Sequence, residues 1–283
     1  MMFSPLPAIM VEPLVRAALL EDLGRAGDIT TDATIDAAAT MSGVIAARQP
    51  GAISGTDAAA IAFRLMDPAI EVVIEKPDGS RVQPGDVVMR IRGRVRPILS
   101  AERVALNLLC HLSGVATATA GLVDAVRPHK ARIACTRKTT PGLRVLEKHA
   151  VRAGGGSNHR FGLDDAVLIK DNHVAAAGGV KAAIARAKAH VGHLVKIEVE
   201  VDTLAQLAEA LEAGVDAVLL DNMTPPQLSE AVRMVGGRAI TEASGRITAA
   251  TANAVAASGV DLISAGWITH SAPVLDLGLD FVG

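Results

Sequence analysis

Residues 195–223 read VKIEVEVDTLAQLAEALEAGVDAVLLDNM, and their patterning decides the fold. Val195–Val199 and Ala217–Leu220 are short apolar runs rich in β-branched residues, and Leu204–Leu211 between them has apolar residues at helical spacing. A strand, a helix and a second strand in so short a span describe one unit of a parallel sheet with a crossover helix. The same alternation continues on both sides. Ala131–Cys135 and Ala166–Ile169 precede it; Gln227–Val235, an Ala-containing amphipathic helix, and the strands Arg238–Thr241 and Leu262–Ser264 follow it. Repeated strand–helix units imply a (β/α) barrel. The competing architecture, a doubly wound open sheet, lacks a GxGxxG after its first strand.

The first hundred residues mix the two element types. Val11–Leu23 is helical in spacing, with Pro13 near its start, and Asp57–Leu65 is a second helix. Val44–Ala47, Glu71–Glu75 and Val87–Ile91 are strands, with turns at Asp78-Gly79 and Pro84-Gly85. A long helix is expected from Ser100, a suitable N-cap. Within it, Val104–Val123 has no Asp, Glu, Lys or Arg, about the length of a membrane span. Asn107, His111, Ser113, Thr117 and Thr119 would be costly in lipid, so a helix buried in protein is expected.

Composition narrows the function. Half of the 283 residues are hydrophobic, enough for a sizeable core. Lys+Arg number 28 against 30 Asp+Glu, a net charge of −2, which disfavours nucleic-acid binding by bulk charge. With 2% aromatics and no Tyr, base-stacking platforms are not available. Cys110 and Cys135 stand far apart and form neither a disulfide framework nor a zinc pattern. The first basic residue is Arg16, and no export signal is read before it. A soluble cytoplasmic protein is the expectation.

The residues where each strand stops carry the chemistry. They are Thr136-Arg137-Lys138, Lys170-Asp171-Asn172-His173, Glu200, Asp221-Asn222, Ser244-Gly245 and Gly266. A barrel brings all these ends to one mouth. Arg137, Lys138, Lys170 and nearby His159-Arg160 would grip anions, and Glu200 and Asp221 suit Mg²⁺ or sugar hydroxyls. Ser244-Gly245 and Gly266 fall in the loops that commonly hold phosphate on a barrel. Taken singly, each has a structural alternative. Glu200 and Asp221 suffice to neutralise Lys170 and Arg137, Gly154-Gly155-Gly156 reads as a helix terminus, and His111 reads as a core histidine. Only their joint occurrence points to a site for a phosphorylated sugar and a second anionic reactant.

The segment Thr136-Arg-Lys-Thr-Thr-Pro-Gly-Leu-Arg144, continuing through Glu147-Lys148-His-Ala-Val151 to Gly154-Gly-Gly-Ser-Asn-His-Arg160, strongly resembles the quinolinate phosphoribosyltransferase family. Glu21-Asp-Leu-Gly, Gly27-Asp-Ile-Thr-Thr31, Glu102-Arg-Val-Ala-Leu-Asn107, Leu168-Ile-Lys-Asp-Asn-His173, Glu198-Val-Glu-Val201, Leu220-Asp-Asn-Met223 and Thr269-His-Ser271 extend the likeness nearly end to end. The resemblance implies an N-terminal α/β sandwich domain and an open-faced (β/α) barrel with fewer than eight strands. Here these would be residues 1–112, joined by the tail 274–283, and residues 113–273. It implies quinolinate and phosphoribosyl pyrophosphate as substrates, Mg²⁺ as cofactor, and a homodimer or higher oligomer whose active site is shared between chains.

By the same resemblance Arg137, His159, Arg160 and Lys170 surround quinolinate, with Thr136 beside them and Arg103 supplied by the partner chain. Lys138 holds the phosphorylated substrate, and Lys138, Lys170, Glu200 and Asp221 form the catalytic group. Glu200 and Asp221 serve Mg²⁺ through water and the pyrophosphate. Ser244, Gly245, Arg246, Ala265, Gly266, Trp267 and His270 enclose the 5′-phosphate. Arg246 and Trp267 stand where the family commonly has a small residue and Ala. The alternatives are a paralogous group associated with molybdenum transport, a phosphometabolite-binding protein without catalysis, and a Schiff-base aldolase built on Lys170.

Overall fold

The computed structural model describes residues 4–282. The chain forms two compact units. The first comprises the chain to Ala120, Thr139–Gly155 and the chain from Ile268; the second comprises Gly121–Lys138 and Gly156–Trp267. In chain order the strands are β1 (Thr40–Ala47), β2 (Gly51–Ala52), β3 (Glu71–Ile74), β4 (Arg81–Val82), β5 (Val87–Arg94), β6 (Arg132–Ala134), β7 (Val167–Ile169), β8 (Ile197–Val201), β9 (Ala217–Asp221), β10 (Ile240–Ser244), β11 (Leu262–Ser264) and β12 (Leu277–Val282).

In the first unit an antiparallel sheet has the order β12-β1-β5-β3. The C-terminal strand β12 pairs with β1 from Ser42–Val282 to Ala47–Leu277, so the tail completes the sheet of the N-terminal half. Helices Ala8–Leu23 and Thr56–Met66 accompany it, and Phe63, Ile45, Met89 and Ile91 are fully buried. The long helix runs Val95–Ala125, five residues earlier than its sequence suggests. Pro97 in the first turn lacks only an N–H that has no partner there, so the helix starts before Ser100. Ser100 is therefore inside the helix, its hydroxyl donating to the Arg96 carbonyl at 3.0 Å. This helix is long and apolar enough to cross a membrane, and 56% of its most apolar window is buried within the protein.

Two polar clusters hold this unit together. Asp78 accepts from the backbone N–H groups of Gly55 (2.9 Å) and Thr56 (3.0 Å), from the Thr56 and Ser54 hydroxyls, and pairs with His149 at 3.2 Å. A single carboxylate thus caps helix Thr56–Met66 and ties it to helix Arg144–Ala153. Burial alone would raise the Asp78 pKa, but the bonds from His149, Gly55 and Thr56 outweigh it and hold the carboxyl below its usual range. Glu147, fully buried, accepts from the Thr140 N–H at 3.0 Å and pairs with His111 at 2.8 Å. His111 is thus an anchor for Glu147, which pins the chain two residues beyond Lys138.

The second unit is a six-stranded parallel sheet in the order β6-β11-β10-β9-β8-β7. The end strands β6 and β7 form no ladder with each other among the described residues, so the barrel is open and has fewer than eight strands. Buried Val199, Val218, Leu220, Ala243 and Ile263 provide the apolar positions of the central strands. The helices start promptly after the strand-end loops. Thr203 Oγ1 accepts from Gln206 N–H at 3.2 Å while the Gln206 side chain accepts from Thr203 N–H, and Thr248 and Thr251 repeat the arrangement. β8 and β10 extend two or more residues past their sequence-read ends, which makes Glu200 and Ser244 strand residues rather than loop residues.

Replacing Asp78 with Ala is expected to destabilise the protein by about 2–4 kcal/mol, since a helix cap and the buried hydrogen bond to His149 are lost together. Urea unfolding at pH 7 is the measurement; the loss should shrink toward pH 2, where protonation already removes the contribution of a carboxyl with a depressed pKa.

Candidate active site

Side chains alternate along a strand, so residues two apart share a face. On the sheet of the second unit this rule produces paired positions at the carboxyl ends: Leu168 and Lys170, Glu198 and Glu200, Leu219 and Asp221, Glu242 and Ser244. Register sets them side by side, with Glu200 opposite Leu219, Ser244 opposite Asp221 and Glu242 opposite Leu219. The later residue of each pair forms the rim of a cavity of about 470 Å³, and Leu168, Leu219 and Glu242 form its floor. Thr136, Arg137, Lys138, His159 and Arg160 complete its lining with Ser264.

Nine of the residues singled out in the sequence therefore meet at one place: Thr136, Arg137, Lys138, His159, Arg160, Lys170, Glu200, Asp221 and Ser244. Gly245 and Arg246 in the loop after β10, Ala265 and Gly266 in the loop after β11, and Trp267 at the start of the short helix Trp267–His270 belong to the same unit but do not line the cavity. Arg103 and His270 belong to the first unit, where both are exposed. Gly245 has φ +105° and Arg246 φ +47°, and the Arg246 side chain is exposed. The Trp267 indole N–H donates to the Ile247 carbonyl at 2.8 Å, so this side chain fastens the loop after β10 to the loop after β11.

The site is electrostatically unbalanced. Burial and the neighbouring Arg137 charge both push the Arg160 pKa down, so the two guanidiniums crowd each other in a partly desolvated setting. Arg160 also donates to the Ala166 carbonyl at 3.0 Å. At the rim, Lys170 Nζ lies 3.4 Å from Glu200 Oε2. Burial raises the Glu200 pKa; Lys170 opposes this and the Asp221 charge adds to it. The lining thus carries four cationic side chains, Arg137, Lys138, Arg160 and Lys170, against the rim carboxylates Glu200 and Asp221.

Two family models match the chain: the quinolinate phosphoribosyl transferase N-terminal domain over residues 28–113 and the corresponding C-terminal domain over residues 115–280. The chain belongs to this family. A nicotinate-nucleotide pyrophosphorylase (carboxylating) of Mycobacterium leprae is 45% identical over 274 residues, spanning 94% of this chain and 95% of that one. A probable nicotinate-nucleotide pyrophosphorylase (carboxylating) of Bacillus subtilis is 41% identical over 272 residues, covering 96% and 93%. The crystal structure of NadC from Streptococcus pyogenes is 40% identical and superposes with a TM-score of 0.94 over 99% of this chain and 100% of that one.

Within this family fold, two acids that the sequence does not single out stand near the site: Glu242 in the cavity floor and Glu198, which pairs with His159. His159 Nε2 lies 2.9 Å from Glu198 Oε2 and 3.8 Å from Glu242 Oε1, and the three side chains form one cluster. His159 Nδ1 accepts the Arg160 N–H at 2.7 Å, so both ring nitrogens are engaged within the protein. Glu242 is 2% exposed, and its Oε1 makes no hydrogen bond among the described residues. Burial and the Glu198 charge push its pKa up to about 7, against the pull of His159 and the Ser264 hydroxyl. The signal for both acids was present: if Glu200 and Ser244 face inward, so must Glu198 and Glu242.

A raised carboxyl pKa means that the folded state holds a proton the unfolded chain releases, so stability falls as pH rises from about 4.5 to about 7. Glu242→Gln should therefore be more stable than the parent at pH 8, by up to about 3 kcal/mol at ~1.36 kcal/mol per unit. The difference should close toward pH 5, as read from denaturant midpoints across that range.

Proposed function

We propose that this chain joins quinolinate to phosphoribosyl pyrophosphate, forming nicotinate mononucleotide, pyrophosphate and CO₂, and that it does so as a cytoplasmic homodimer or higher oligomer. The observation that carries the reading is the pair of crowded guanidiniums, Arg137 and Arg160, beside rim carboxylates in one cavity. A pyridine dicarboxylate relieves the first feature, and a sugar that gains positive charge as pyrophosphate departs answers the second. The family of the chain and the names of its relatives support the same reaction.

In this reading Arg137, Arg160 and Lys170 hold the two carboxylates of quinolinate, with Thr136 and His159 beside them, and place its ring nitrogen toward the sugar. Lys138 holds the phosphorylated substrate. The nitrogen attacks the anomeric carbon as pyrophosphate leaves, and Glu200 and Asp221 face the positive charge that develops on the sugar. No protein nucleophile is required; positioning and charge neutralisation suffice. Ser244, Gly245, Arg246, Ala265, Gly266, Trp267 and His270 serve the 5′-phosphate, and Arg103 comes from a second copy of the chain.

Glu200 and Asp221 also fit a divalent cation. Burial and mutual repulsion already disfavour ionised Glu200, a cost that a dication at the rim removes. Bound there through water, Mg²⁺ would neutralise pyrophosphate as it departs.

Incubation with quinolinate, phosphoribosyl pyrophosphate and Mg²⁺ should release CO₂ and yield nicotinate mononucleotide; no product above background would refute the proposal. Arg137→Ala and Arg160→Ala should each weaken quinolinate binding by about 1.5–3 kcal/mol in calorimetry while leaving the melting temperature nearly unchanged. For the shared site, an Arg103→Ala chain mixed with a Lys170→Ala chain should regain activity that neither has alone. Mixing without any recovery would mean that each chain is self-contained.

A further inference from the structure

The proposed reaction leaves one step unassigned to any residue. When the ring nitrogen has been alkylated, the bond between the adjacent ring carbon and its carboxylate breaks, CO₂ departs, and the electron pair stays on that carbon. The carbon must then take a proton. Resting on the reading above, we propose that Glu242 is the general acid that supplies it: the ring C–H bond forms, Glu242 is left as a carboxylate, and water reprotonates it before the next turnover.

The geometry of the floor favours this residue over the other groups of the cavity. Glu242 lies one strand step below the rim, beside Leu219 in the cavity lining, and its Oε1 is buried without a hydrogen bond among the described residues. A carboxylate turned toward such a floor is desolvated, and CO₂, being uncharged, is the favoured form there. The groups that face Glu242 are Glu198 from β8, His159 from the loop before β7 and the Ser264 hydroxyl from β11. With both ring nitrogens engaged, His159 has no N–H to give without breaking a bond. Arginine is too weak an acid to donate. Lys138 and Lys170 are exposed, and Lys170 is paired with Glu200. The Glu198 charge and burial keep Glu242 protonated to about pH 7, where a general acid is most effective.

The test is a single-turnover experiment on the full-length wild type, Glu242→Gln and Glu242→Asp with quinolinate, phosphoribosyl pyrophosphate and Mg²⁺. Pyrophosphate, CO₂ and nicotinate mononucleotide are quantified together, and quinolinate affinity is measured by calorimetry. The expected result for Glu242→Gln is quinolinate binding within about threefold of wild type, pyrophosphate release ahead of product, and product formation slowed by about 10²-fold or more. Glu242→Asp should recover part of that loss. In the wild type, product formation should fall on the alkaline side through an ionisation that pyrophosphate release does not share, a readout independent of how the variants fold. A Glu242→Gln enzyme within threefold of wild type, or equal losses of pyrophosphate and product with weakened quinolinate binding, would overturn the assignment while leaving the reaction in place. A wild type that makes no nicotinate mononucleotide would instead overturn the reaction itself.

Discussion

Parallel pairing compels every strand of the second unit to end on the same edge of its sheet. The ladders from β7 through β8, β9, β10 and β11 to β6 leave no strand reversed, so side chains from stretches more than a hundred residues apart, such as Arg137 and Ser244, open on one cavity. Capped helices that start directly after the strand-end loops keep those loops short. The loops after β10 and β11 are further joined by the indole of Trp267, a larger side chain that contributes a hydrogen bond.

The same alternation that directs charges to the rim directs others to the floor. A β-strand has no means of presenting Glu200 to a cavity while hiding Glu198 on the same side. The chain meets this constraint with His159, which binds Glu198, and with protonation of Glu242, which removes one of two adjacent negative charges. The cavity then holds four fixed cations, Arg137, Lys138, Arg160 and Lys170, against two rim carboxylates. That imbalance is what a polyanionic substrate pair answers, and ionisation of Glu242 would reduce it. Function and stability are therefore opposed at Glu242: the buried acid costs stability when it ionises.

The repeat of strands and helices, the location of the rim cations and the family were legible in the sequence, because each rests on local spacing or on contiguous motifs. Thr136-Arg-Lys138 and Lys170 sit at strand ends that short apolar runs announce. Other features were not legible. The long helix begins at Val95 because a proline is tolerated in a first turn, a fact that a search for N-cap residues overlooks. Glu147 reads as a helix-surface residue in one dimension, and only its contacts with His111 and Thr140 reveal a buried anchor. Strand ends read from hydropathy stop where charges begin, so β8 and β10 run past the ends that their sequence suggests.

By itself the sequence determined which residues ride on which element, since periodicity and capping are properties of neighbours along the chain. Tertiary structure alone decided the state of those residues. Whether Glu242 carries a proton, whether Arg160 repels Arg137, and whether the tail strand β12 lies against β1 depend on desolvation and on distances between remote segments. Electrostatic energy varies with the medium and the separation of charges through space, and neither is encoded in the order of residues until the chain has folded.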